Sequence, residues 1–202
     1  MKIKRWIALV LTAVMAVSVL TACGGSSGAS GYLSNNEVNA LLDTAGSDVQ
    51  VVNNSTLNNA VRNAAAEVAS SGSTSSVNKS VQNAMGWKIS DILSNAWKQF
   101  LGSLGIIVPN IKVGMTAVVT EEELKNNTGA GLWGGNTTAI APVNTPEKFA
   151  AAMVLGAGSK LDWLSDISEN RISTTYSVAG SKATTKDGTV YWIFAIQIQL
   201  AV

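Results

Sequence analysis

Asp187-Gly188-Thr189-Val190-Tyr191-Trp192-Ile193-Phe194-Ala195-Ile196-Gln197-Ile198-Gln199-Leu200 is the stretch whose reading decides the fold. Trp192, Phe194, Ile196, Ile198 and Leu200 stand at every second position, so a β-strand places them on one face. The opposite face carries Tyr191, Ile193, Ala195, Gln197 and Gln199. It is apolar at its start, as a central strand would be, and polar later. Asp187-Gly188 supplies a turn, and before it Ile172, Thr174, Tyr176 and Val178 alternate with polar partners. The chain therefore closes on a predicted hairpin, expected to form the central strands of a sheet.

Upstream of that hairpin the periodicity is helical. Thr145-Pro146-Glu147 reads as a helix start, with Thr145 as cap, Pro146 in the first turn and Glu147 where the dipole favours a negative charge. Phe149, Ala152, Met153 and Gly156 give its buried face. Residues 156–159 read as a break, after which Leu161, Leu164 and Ile167 predict one more short helix with Trp163 beside the stripe. Near the start of the fold, Ser34 and Glu37 have capping-box spacing, and Val38, Leu41 and Leu42 follow. Leu57, Ala60, Val61, Ala64, Ala65 and Val68 recur three and four apart, with Arg62, Asn63 and Glu67 off the stripe. An Ala-rich face of this kind predicts close packing. Val77, Val81, Ala84 and Met85 mark a weaker helix, and Ile89, Ile92, Leu93, Ala96, Trp97, Phe100, Leu101 and Leu104 a strong one that reads as a core helix. Residues 106–108 and 113–119 are rich in β-branched side chains and flank Pro109 and Asn110, so extended segments are expected there. Thr120 and Glu123 repeat the capping box, residues 126–136 read as a loop, and residues 137–141 as a further short strand.

The other end of the chain carries a different signal. Lys2, Lys4 and Arg5 precede an apolar run over residues 6–20, and Leu20-Thr21-Ala22-Cys23 ends it at the chain's only cysteine. A basic start, an apolar stretch and small residues before a cut are the parts of a secretory signal. With the cut before cysteine, the segment resembles the lipobox of bacterial lipoproteins. That resemblance implies a signal peptide over 1–22 and a lipidated Cys23 with diacylglycerol on its thiol and a further acyl chain, such as palmitate, on the new amino group. Residues 23–33, rich in Gly and Ser, are then a flexible spacer, and residues 34–202 a single α/β domain held outside the cytoplasm of a bacterium. Two or more acyl chains are about what stable anchoring takes. The membrane, reached through the lipid on Cys23, is the first expected partner.

Composition narrows the chemistry. The net charge of +1 includes three cations of the leader, so removing them takes the basic count from 14 to 11 against 13 acids, a net of −2. That balance argues against nucleic acid, whose phosphates demand a basic face. With 0 histidines and 1 cysteine, a Ser-His-Asp triad, a thiol nucleophile in the domain and a zinc site of His and Cys are excluded. No cofactor and no metal is expected. Carboxylate pairs, Ser-Lys arrangements and oxygen-ligated cations remain.

Few residues answer to those options. Glu121-Glu122-Glu123 point in different directions on a helix and are explained by its dipole. Asp162, Asp166 and Glu169 fall on one helical face and read as a solvated acidic surface, with a weak calcium site as the alternative. The Gly-rich loop over 129–135 lacks the Gly-Lys-Ser/Thr ending of a P-loop, so its glycines read as turns around Trp133. Ser159 and Lys160 are neighbours rather than three apart, which is no Ser-Lys constellation. Trp133 and Trp163 are the candidate ligand-binding residues, since an exposed indole stacks on a sugar or a peptide.

Val38-Asn39 opening the first helix, Leu57, Ala60, Ala64 and Ala65 in the second, Thr145-Pro146-Glu147 opening a late helix, and Asp187-Gly188 leading to Tyr191-Trp192 together resemble bacterial members of the CAP superfamily (cysteine-rich secretory protein, SCP-like). The resemblance covers residues 34–69 and 145–198, and residues 70–144 depart from the pattern. It implies an α-β-α sandwich with a central, mainly antiparallel sheet that includes the C-terminal hairpin. The family's cleft normally holds two histidines with two acids; here Gly156-Ala157-Gly158-Ser159 stands near the place of one histidine, so no family site residue carries over. The expected function is a non-enzymatic binding or cell-envelope-associated module for an envelope polymer, a peptide or a protein. The alternatives are a carboxylate-dependent hydrolase of envelope polymers, with two acids facing across one cleft, and a purely structural tether.

Overall fold

Most of the described helices begin where a short polar side chain takes up a free backbone N–H group. Residues 29–30, 32–88, 110–128, 137–168 and 173–201 are described by the computed structural model, with the backbone alone at 29–30 and 162–168. Ser34 accepts the Glu37 N–H at 3.3 Å and starts α1 (Asn35–Thr44), which buries Val38 and Leu42. Asn54 accepts the Leu57 N–H at 3.0 Å and starts α2 (Ser55–Ser71). Its buried residues are the expected stripe with Ala69 added, while Arg62, Asn63 and Glu67 are exposed. Gly72 ends it at φ +73, in the left-handed region that glycine enters without strain. α3 (Val77–Met85) buries Val77, Val81 and Met85 and leaves Ala84 exposed.

The sheet has four strands in the order β1-β3-β4-β2, from β1 (Ala29–Ser30), β2 (Ile111–Thr120), β3 (Ser173–Thr184) and β4 (Val190–Ala201). Every pairing in it is antiparallel. The hairpin strands are the middle pair, so β4 is central as its two apolar faces require. Thr184 stands opposite Val190, which leaves residues 185–189 as a longer loop than the Asp-Gly pair alone. Gly188 takes φ +85 and donates to the Thr185 carbonyl at 3.0 Å, while Asp187 Oδ1 accepts from Thr185 Oγ1 and from the Thr189 N–H.

Strand alternation sends β4 side chains to two cores. Phe194, Ile196, Ile198 and Leu200 join Tyr176, Val178, Val113 and Met115 beneath α1 and α5 (Pro146–Ser168). Ile193 and Ala195 join Ala179 and Ala183 beneath α2 and α3. The fold is thus an α/β fold, an α-β-α sandwich around an antiparallel sheet with a C-terminal hairpin. α4 (Glu121–Lys125) follows β2 directly, with both halves of the Thr120–Glu123 capping box formed.

Three expectations are corrected. Residues 137–141 form no strand: Thr138–Ile140 is a turn of 3₁₀ helix, in which Thr138 and Ala139 are exposed and Ile140 alone anchors in the core. The turn packs against α1 instead of pairing in the sheet. The break at 156–159 is absent, and α5 runs unbroken through Gly156 and Gly158 for 23 residues. Ala150, Ala151, Ala152, Met153 and Val154 are all buried in succession, so α5 is enclosed around its circumference. That packing outweighs a propensity cost of about 1 kcal/mol per glycine. Finally, Ala29 and Ser30, inside the stretch expected to be spacer, pair with Ala183 and Lys182. The helical stripe expected over 89–104 and the segment at 106–108 lie outside the described residues.

Candidate functional site

Of the residues singled out by sequence, Cys23, Trp133 and the Gly-rich loop lie outside the described residues. Trp163, Asp162 and Asp166 belong to α5 by backbone alone, and Glu169 lies beyond it. Ser159 donates its hydroxyl to the Gly156 carbonyl at 2.8 Å, a bond within the helix, and Lys160 is exposed.

The acids of α4 have structural partners. Glu121 Oε1 lies 2.9 Å from Lys182 Nζ and its Oε2 3.4 Å from Lys125 Nζ, and the Lys182 contact foremost holds the carboxyl below its ordinary range. Glu123 accepts the Thr120 N–H at 2.7 Å and the Thr120 hydroxyl at 2.8 Å, which lowers its carboxyl as well. Lys182 is 61 positions from Glu121 in sequence. No periodicity reveals that pair; only the register of β3, β4 and β2 brings it together.

Val38-Asn39 also has a structural task. Val38 is fully buried, and the Asn39 amide clamps Val51 from both sides, donating to its carbonyl at 3.1 Å and accepting its N–H at 2.8 Å. Val51 in turn bridges to Tyr176 of β3. Asn39 thereby fixes the segment between α1 and α2 to the sheet.

Glu147 is where the described carboxylates depart furthest from a purely structural role. Helix-start chemistry predicts an exposed acid there, yet burial raises its carboxyl above the ordinary glutamate range. Hydrogen bonds from its own N–H and from that of Ser34 oppose the rise, while the charge of Glu37 adds to it. The starts of α1 and α5 therefore converge on two acids, Glu37 and Glu147. Sequence reasoning missed the meeting because the two residues are 110 positions apart; the shared signal was an acid at each of two capped helix starts.

Another long-range contact was also missed. Trp87, 4% exposed, donates its indole N–H to Gln197 Oε1 at 3.0 Å, so the strand position read as polar is buried and satisfied. A Cβ on Gly114 would come within 2.3 Å of the Trp87 ring. A glycine amid a β-branched run was the available hint of such an approach.

Among the described residues no group of three or more acids, cysteines or histidines is placed to hold a metal ion, and no helix is long and apolar enough to cross a membrane. Compared with protein-family models, with curated proteins and with solved structures, the chain finds no match in any of the three.

Proposed function

We propose that this chain is an extracytoplasmic bacterial lipoprotein, anchored through Cys23, whose α-β-α domain acts as a binding or envelope-associated module without catalysis of its own. The observation that carries the reading is Leu20-Thr21-Ala22-Cys23 behind a basic and apolar leader, with the only thiol of the chain at the lipid position. The domain supports it in that Glu121, Glu123 and Asn39 are engaged in capping, ion pairing and backbone clamping. The layered sheet with its Tyr191-Trp192 hairpin further supports a degenerate CAP-like domain, lacking the family's histidines. Its ligand is an envelope polymer, a peptide or a protein, with the indoles of Trp133 and Trp163 as candidate contacts. Growth of a bacterium expressing the full chain with an alkyne-bearing palmitate tests the anchor. The wild-type chain takes up label and sediments with membranes; Cys23→Ser loses the label. Equal labelling of both chains overturns the reading.

A second reading, a carboxylate-dependent hydrolase of envelope polymers, rests on the meeting of Glu37 and Glu147 and the raised carboxyl of the latter. It requires that purified protein release soluble fragments from isolated envelope polymer and that Glu147→Gln abolish the release. Equal release by both chains, or none from the wild type, removes it.

A further inference from the structure

The residues that join Cys23 to the fold are few. Counting from Cys23 to Ala29 gives six residue steps, which span at most about 20 Å when fully extended. Ala29 is already part of the sheet, so the lipid and the β1 edge cannot be far apart. Register then says which end of the sandwich this is. Ala29 pairs with Ala183, Ala183 with Tyr191, and Tyr191 with Thr120; in the next row Ser30 pairs with Lys182, Lys182 with Trp192, and Trp192 with Val119. Two strand spacings of about 4.8 Å put Tyr191 and Trp192 about 10 Å from the point where the tether leaves the sheet. The loop at 185–189 caps the same end, with Lys186 exposed at its tip.

That end is rimmed by aromatic residues with polar handles. Tyr191 and Trp192 are partly exposed on opposite faces of the sheet. Tyr and Trp are the side chains that favour the boundary between headgroups and hydrocarbon. Charge does not favour an anionic partner: Lys125 and Lys182 pair with Glu121, and Lys186 is outnumbered by Glu122, Glu123 and Asp187 at this end.

We infer that the hairpin end of the domain, bounded by Tyr191, Trp192 and Lys186, rests on the phospholipid surface that holds the lipid of Cys23. This inference depends on the lipid-anchor reading and adds an orientation to it. The far end, with Lys112 exposed on β2, points away from the membrane. Tyr191 stands opposite Thr120, eight residues from Lys112 along β2, a separation of roughly 26 Å.

The test uses the full lipidated chain in phosphatidylcholine vesicles. Because lipid blocks the thiol of Cys23, a cysteine introduced as Lys186→Cys or Lys112→Cys is the only reactive one and takes a bimane label. Flotation first establishes whether the protein is anchored at all; failure to float defeats the anchor reading and this inference with it. With nitroxide on the lipid headgroups, the expected result is several-fold stronger quenching at position 186 than at 112, unchanged when salt is raised. Floated protein with equal quenching at both positions, stronger quenching at 112, or loss of the difference in high salt overturns the inference while leaving the anchor intact. A bimane at 186 that responds to protein density instead of nitroxide lipid assigns this end to a second copy and also overturns it.

Discussion

The two faces of the sheet solve the same burial problem with different side chains. Under α1 and α5 the core is built from large residues, with Phe149 and Phe194 at 4.7 Å between ring centroids and Met153, Ile196, Ile198 and Leu200 around them. Under α2 and α3 alanines predominate at Ala60, Ala64, Ala65, Ala69, Ala179, Ala183 and Ala195, with valines, Leu57, Met85, Trp87 and Ile193 between. Small side chains on both surfaces let α2 approach the strands closely. The same face admits buried polar groups at Gln197, Ser177 and Ser181, and the indole of Trp87 lies over Gly114. One face is therefore filled by volume and the other by close approach, and each is vulnerable to the opposite kind of substitution.

Truncation strikes the large-residue face hardest. Phe194→Ala, at a fully buried position, is expected to cost about 3–5 kcal/mol, read as a lowered denaturant midpoint at unchanged m. A loss below about 1 kcal/mol would mean that the site collapses freely and that the contrast between the faces is false. Enlargement strikes the other face: Ala64→Leu, or Gly114→Ala beneath the Trp87 ring, is expected to cost about 1–3 kcal/mol through overpacking. The same addition at exposed Ala84 on α3 should be close to neutral, so equal effects at positions 64 and 84 would refute close approach as the cause.

Asn54→Ala removes the cap of α2 and should cost about 1 kcal/mol. Ser34→Ala, which uncaps α1 on the opposite face, should cost a similar amount, because capping is local and indifferent to the size of the core beneath it. Calorimetry of the two variants side by side checks this, and widely unequal losses would show that the caps are coupled to packing.

The smallest effect concerns pH. A carboxyl raised in the folded state binds its proton more tightly there than in the unfolded chain, so Glu147 contributes a stability that fades as pH rises above the ordinary glutamate value and through its raised one. Glu121, Glu123 and Asp187 are lowered and act in the other sense, their contribution being lost as pH falls through the acidic range. Glu147→Gln should therefore flatten the decline of urea midpoint on the alkaline side of the glutamate range and leave the acid limb unchanged. An altered acid limb would mean that the substitution disturbs the Glu121 and Glu123 contacts instead.

The contrast between the faces also explains how much was legible. The alanine stripe of α2 could be read position by position because one side of the helix meets the sheet and the other meets water. α5 is buried on nearly every side over residues 149–154, so its apolar positions have no period and Gly156 and Gly158 imitate a terminus. The hairpin was readable from alternation and Asp187-Gly188, although the loop proved longer than the dipeptide. Of the candidate site, the capping roles of Ser34, Thr120 and Glu123 followed from spacings of three. The pairing of Glu121 with Lys182 and the convergence of Glu147 with Glu37 did not, since each joins groups far apart in sequence.

The sequence by itself determined the three capped helix starts, the amphipathic stripe of α2 and the central hairpin, because these depend on neighbours within about one turn or one strand. Only the tertiary structure decided that α5 is continuous, that residues 138–140 are 3₁₀, that β1 ties the supposed spacer to the edge of the sheet, and that Gln197 is buried against Trp87. Each of those outcomes is set by what packs opposite a residue, and that partner stands tens of positions away along the chain.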